Sequence, residues 1–95
     1  MNIEVCPKEY EVELNWVDAL LYCSLLIIDN KNDWRLPTLE ELDYIRNAEN
    51  DLVEDYYWSC IDYSEPTAWV QVQCIRHYKA CKSTSYSVRA VRDNI

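Results

Sequence analysis

Cys74, His77 and Cys81 stand in a C-x2-H-x3-C run, three of the four ligands a tetrahedral zinc site needs, with Cys60 the candidate for the fourth. Cys74 closes an alternating apolar stretch, which turns its thiol toward a core and leaves His77 beside it on the surface. No bound metal is expected. His77 is also the only histidine, and it lies in a basic segment with Arg76, Lys79 and Lys82. No Ser/His/Asp arrangement accompanies it, and no glycine-rich phosphate loop exists. The chain is therefore expected to be no enzyme and to carry no cofactor. What remains is recognition, by those basic groups beside Tyr78 and by Asp62, Tyr63 and Glu65 earlier in the chain.

Ninety-five residues give one domain, 49% hydrophobic and 27% charged, within the globular range. Four Trp and eight Tyr supply all the aromatic bulk, because Phe is absent. Residues 1–65 hold sixteen acids and four bases, while residues 66–95 hold five bases and one acid. The acidic part repels nucleic acid, so no direct nucleic-acid contact is expected; a basic protein would be attracted to it. Residues 1–10 show no signal-peptide pattern. The longest apolar run, residues 19–28, is too short and too interrupted to span a bilayer. These features, with an odd count of five cysteines and no CxxC pair, point to a cytoplasmic protein with mostly buried free thiols and no membrane contact.

The elements that must position these groups follow from periodicity. Residues 10–14 alternate apolar and acidic, as a half-buried strand does. Asn15 is a helix cap with Asp18 three residues on. From Trp16 the apolar positions Val17, Ala19, Leu20, Leu21, Cys23, Leu25 and Leu26 predict a largely buried helix ending near Ile28. Residues 29–33 form a polar turn; with no glycine in the chain, Asn30 or Asn32 must take the left-handed backbone there. Thr38 and Glu41 make a capping box for a second helix. Its inner face is Leu39, Leu42, Tyr44 and Ile45, Glu41 lies largely outside, and it fades at residues 47–50. Strands follow at 57–60, 68–74 and 86–92. A loop joins the first two at 62–67; residues 76–85 read as a loop or an irregular hairpin. The layout is α+β with an antiparallel sheet.

Within this frame Asp33-Trp34-Arg35-Leu36-Pro37-Thr38, then Glu41-Leu42, Tyr57-Trp58-Ser59, Ala68-Trp69-Val70 and Val88-Arg89-Ala90-Val91-Arg92 resemble the C-terminal domain of Legionella collagen-like protein and its relatives. With the aromatic first helix from Trp16 through Cys23, the likeness covers residues 15–92. It implies a C-type-lectin-like fold: two helices on a short, twisted antiparallel sheet. In it Trp16, Trp34, Arg35, Leu36, Pro37, Thr38, Trp58, Trp69, Arg89 and Arg92 are signature residues of structure. Arg35 should pair with a carboxylate or carbonyls. Extracellular relatives join the first-helix cysteine to one in the closing strand; here Cys23 is present but Ala90 fills the second place, which suits a reducing setting. Cys60 is expected as a small buried filler.

Calcium-dependent lectins of this fold use a Glu-Pro-Asn loop and a Trp-Asn-Asp strand. Ser64-Glu65-Pro66-Thr67 resembles half of the first, and Trp69-Val70-Gln71 lacks the second, so too few oxygen ligands remain for calcium. Formylglycine-generating enzymes share the fold but need a longer chain. The resemblance thus implies a non-enzymatic binding module whose late-strand loops face a protein partner: Asp62, Tyr63 and Glu65 in one, Arg76, His77, Tyr78, Lys79 and Lys82 in the other. An anionic small molecule is the further ligand class for the basic loop. Self-association is expected as well, since a small core without disulfides gains from it. The rival expectations are a phage- or mobile-element-encoded inhibitor or sequestering protein, and a glycan-binding or adhesion domain.

Overall fold

The computed structural model describes residues 1–73 and 76–94, Arg76 by its backbone alone. Cys74, the tail of the expected 68–74 strand and the first ligand of the zinc-like run, lies outside the described residues.

Strand β1 (Ile3–Val5) leads through a 3-10 turn into β2 (Val12–Leu14), then α1 (Trp16–Leu25) and α2 (Leu39–Asn47). Strands β3 (Tyr56–Asp62), β4 (Thr67–Val72), β5 (Arg76–Cys81), β6 (Tyr86–Val88) and β7 (Val91–Asp93) complete the chain. The α+β layout is thus present. A five-stranded sheet runs in the order β2-β6-β3-β4-β5, and β1 and β7 form a separate antiparallel pair. The pairing is antiparallel apart from β3 and β6, which meet in parallel at Tyr57 and Ser87.

Helix α1 begins where its cap predicts: Asn15 Oδ1 accepts from the Asp18 backbone N–H at 2.9 Å. It stops at Leu25, and only Trp16, Ala19 and Cys23 of it are buried. Val17, Leu20, Leu21, Leu25 and the following Ile27 are exposed, so the expected largely buried helix is corrected to a one-sided one. The chain then turns back between Ile28 and Lys31, whose backbones exchange two hydrogen bonds. Both central residues, Asp29 (φ 52°) and Asn30 (φ 66°), are left-handed, the arrangement a two-residue hairpin turn demands. Asn32 is not needed for this; Asn50 (φ 54°) is the third such position.

At α2 the Thr38–Glu41 capping box forms in both directions, with Thr38 N–H donating to Glu41 Oε1 at 2.8 Å and Glu41 N–H to Thr38 Oγ1 at 3.1 Å. Glu41 is nevertheless buried, against expectation. Arg35 explains it, donating through two nitrogens to the two Glu41 oxygens at 2.8 Å each and on to Asp93 at 2.8 Å. A carboxylate that is both a cap and half of a bidentate ion pair keeps its partners when buried. Arg35 is the structural cation the sequence implied.

Two packed clusters hold the sheet between the helices. Trp16, Ala19 and Cys23 of α1 join Trp34, Leu36, Trp58, Val70 and Val88; Leu42 and Ile45 of α2 join Tyr57, Leu52 and Val91. Because neighbouring strand residues point to opposite faces, Trp58 and Tyr57 set α1 and α2 on opposite sides of β3. The expected 86–92 strand divides at Arg89-Ala90. Its first part pairs with β2 and its second with β1, and Arg35 exchanges two backbone hydrogen bonds with Val91. Pro37 is also among the fully buried side chains, and its carbonyl accepts from Cys60 N–H at 2.8 Å.

Arg35 holds the Glu41 carboxyl below the ordinary carboxylate range, outweighing the upward push of burial. A depressed carboxyl stabilises the fold above its unfolded pKa, and that stabilisation is lost as pH falls through the folded value. Glu41→Gln is therefore expected to lower stability at pH 7 by about 1–3 kcal/mol. The gap to the parent should close as urea titrations are repeated down the acid range. An equal gap at every pH would show that Glu41 contributes by shape alone.

Candidate functional site

The expected recognition residues sit at the end of β3, in the β3–β4 turn, along β5 and just after it, and strand alternation divides them. Ser64 and Thr67 close a tight turn through reciprocal backbone hydrogen bonds of 3.0 and 3.2 Å, and their hydroxyls lie 2.8 Å apart. Glu65 and Pro66 form its exposed tip. The lectin-like half-motif is thus a hairpin turn whose hydroxyls bond each other.

Residues 76–81 are a regular strand, not a loop, because each pairs with β4 from Val72–Arg76 to Thr67–Cys81. Lys79 stands opposite Trp69. Its ammonium lies 4.3 Å from the centre of the Tyr63 ring and 5.8 Å from that of Trp69, while the two rings meet edge to face at 5.8 Å. Tyr63 and Lys79 are exposed and Trp69 is half-exposed. Trp69, expected as a structural signature residue, is therefore not part of either core cluster; it forms the floor of a cation–aromatic surface patch. Contacts of this kind in water hold a lysine loosely, by about 0.5–1 kcal/mol.

Two of the other basic candidates are structural. Lys82 bonds Asp62 at 2.7 Å and lies over the Trp16 ring at 4.6 Å, pinning the turn to the start of α1. His77 Nε2 lies 2.9 Å from Asp43 Oδ2, tying β5 to α2. Tyr78 faces the other side of the sheet, edge-on to Tyr56 at 6.4 Å; Tyr56 in turn stacks on Tyr86 at 5.0 Å. The side chain of Arg76 lies outside the described residues.

A second surface gathers acids of the chain's acidic part into a groove, a grouping that only the fold supplies. A cavity of about 210 Å³ is lined by Glu13, Glu54, Asp55, Tyr56, Tyr86 and two serines, and one of about 190 Å³ adjoins it at Glu11, Glu13 and Glu54. These acids are far apart in the chain and meet only because β2, β6 and β3 are neighbours. Beneath the groove Tyr57 Oη donates to Glu11 at 3.0 Å, and burial first of all pushes its phenol up to about 12. Arg89 reaches the same Glu11 at 3.3 Å.

No protein-family model and no curated protein matches this chain. The resemblance to the Legionella collagen-like domain accordingly rests on the residues themselves.

Among the described residues no group of three His, Cys, Asp or Glu is placed to hold a metal ion. Cys6 and Cys23 are buried, Cys60 is partly so and Cys81 is exposed; all four are free thiols. Cys60 thus fills its place less completely than expected. Burial raises the Cys23 thiol to about 12 and pushes Cys6 up as well, which leaves both protonated and poor as nucleophiles or ligands. No helix among the described residues is long and apolar enough to cross a membrane.

Proposed function

We propose that this chain is a non-enzymatic binding domain on the C-type-lectin-like plan, related to the C-terminal domain of Legionella collagen-like protein. In this reading it engages a protein partner through Tyr63, Trp69 and Lys79. The convergence of the motif segments supports the kinship. Trp16 Nε1 donates to the Ser59 carbonyl at 2.9 Å, Trp58 Nε1 to that of Leu14 at 2.9 Å, and Arg35 pairs with Val91. Cys23 and Ala90 share one core cluster, as the positions of a replaced disulfide should, and this supports a reducing, cytoplasmic setting.

The observation that carries the binding role is the Lys79–Tyr63–Trp69 patch. Two aromatic rings and a cation on a sheet edge have the make-up of an interface hot spot, and here the core does not use them. Affinity capture from the native host is expected to retain a partner with the parent protein and lose it with Trp69→Ala or Lys79→Glu. Both variants should keep the parent's far-UV circular dichroism. A partner held equally by all three proteins overturns this assignment.

The acidic groove favours a second reading, an inhibitor that takes a basic surface of its target. Neutralising Glu13, Glu54 and Asp55 to amides is then the change that releases the partner, with the Lys79 variant still bound.

A further inference from the structure

We infer that the outward face of α1 is the seam of a homodimer. Val17, Leu21 and Leu25 recur every four residues on the side of α1 opposite Trp16, Ala19 and Cys23. They are 61%, 55% and 69% exposed, and Leu20 on the helix and Ile27 just past its end are exposed as well. A helix with apolar residues on two opposite sides needs cover on both, and the chain's own core covers only the side of Trp16, Ala19 and Cys23.

A second copy of the same chain is the occupant that charge and area favour. Asp18 is the only charged residue from 16 to 28, in a protein whose net charge is −8. A highly charged partner finds nothing to read on this face, and two such faces can meet without repelling. An antiparallel two-fold crossing keeps the two Asp18 carboxylates at opposite ends, while four-residue ridges from the two helices interlock. At roughly 100 Å² each, the five side chains leave on the order of 500 Å² of apolar surface in water. That is the larger part of the roughly 800 Å² per partner that a stable interface covers. The seam is also distinct from the Lys79 patch, which lies on the sheet face that α2 covers, so dimerisation leaves two recognition surfaces open.

Sedimentation equilibrium of the purified chain is expected to give twice the monomer mass of 11.4 kDa. The double variant Leu21→Asp/Leu25→Asp should weaken association by at least on the order of 100-fold with an unchanged far-UV spectrum. Val53→Asp, at an exposed position away from α1, should leave the dimer intact. If the double variant loses its helical signal, Val17→Asp on the same ridge is measured in its place. A monomer at on the order of 100 μM, or a dimer that survives the ridge substitutions, overturns the inference. So does a parent monomer that floats with uncharged phosphatidylcholine vesicles, which would assign the face to a membrane surface.

Discussion

Replacing Arg89 with methionine is expected to cost the fold about 3–5 kcal/mol, a large share of the stability of a small domain. The guanidinium is buried, yet it sits at the point where four segments meet. It donates to the Cys6 carbonyl at 2.9 Å, to the Asp51 carbonyl at 3.1 Å and to the Asp51 carboxylate at 2.9 Å. Its fourth contact is Glu11, whose side chain is itself mostly buried. Methionine matches the length of the stem and none of the donors. Glu11 would keep Tyr57 as a donor and the exposed Lys8 at 3.6 Å but lose its buried positive charge, and the buried Cys6 carbonyl would lose a partner. The mechanism has its own signature in urea unfolding. Adding Glu11→Gln to the methionine variant should recover part of the loss, because the mostly buried carboxylate then no longer relies on the exposed Lys8 alone for its counter-charge. Strict additivity of the two changes would mean that Arg89 contributes by packing alone.

The second large effect is expected at Trp58. Its ring is fully buried in the cluster beneath α1, its nitrogen donates to the Leu14 carbonyl, and its edge meets Tyr86 at 5.2 Å. Trp58→Ala removes the largest of the fully enclosed side chains and leaves a void that β2, α1 and β3 can collapse into only in part. The cost should be about 3–5 kcal/mol, a fall in Tm of more than about 12 °C for a domain of this size. Trp69→Ala supplies the contrast within one residue type: its half-exposed ring should matter by about 1 kcal/mol or less. Thermal melts of the two variants that coincide would contradict the burial assigned to both.

Much of this was legible because it is local. The Asn15 cap, the Thr38–Glu41 box and the polar turn at residues 29–33 each satisfy nearby backbone groups, so their residue types announce them. Trp34 and Leu36, which the resemblance marks as residues of structure, are indeed enclosed where the chain passes between the two helices. What the sequence hid depends on distant neighbours. Glu41 looked solvent-facing because its helical phase says so, and only the Arg35 guanidinium draws it inward. Residues 86–92 looked like one strand because alternation runs as far as Ala90 and only Val91 is shifted; the division at Arg89-Ala90 arises from β1, a three-residue strand too short to signal itself. The candidate recognition residues were legible by type but not by side, since Tyr78 and Lys79 part company once residues 76–81 become a strand. For α1, composition indicated a largely buried helix without saying that the core would take only the side of Trp16, Ala19 and Cys23.

Strands β1 and β7 bring Asn2 and Asn94 within one hydrogen bond, 3.0 Å from nitrogen to oxygen. Polypeptide joined to either end must therefore enter and leave from a single spot, the geometry that domain insertion requires. The domain can be spliced into a surface turn of a host protein with short joints and no stretching of either body. For the same reason, closing its ends and opening it elsewhere should leave the architecture intact.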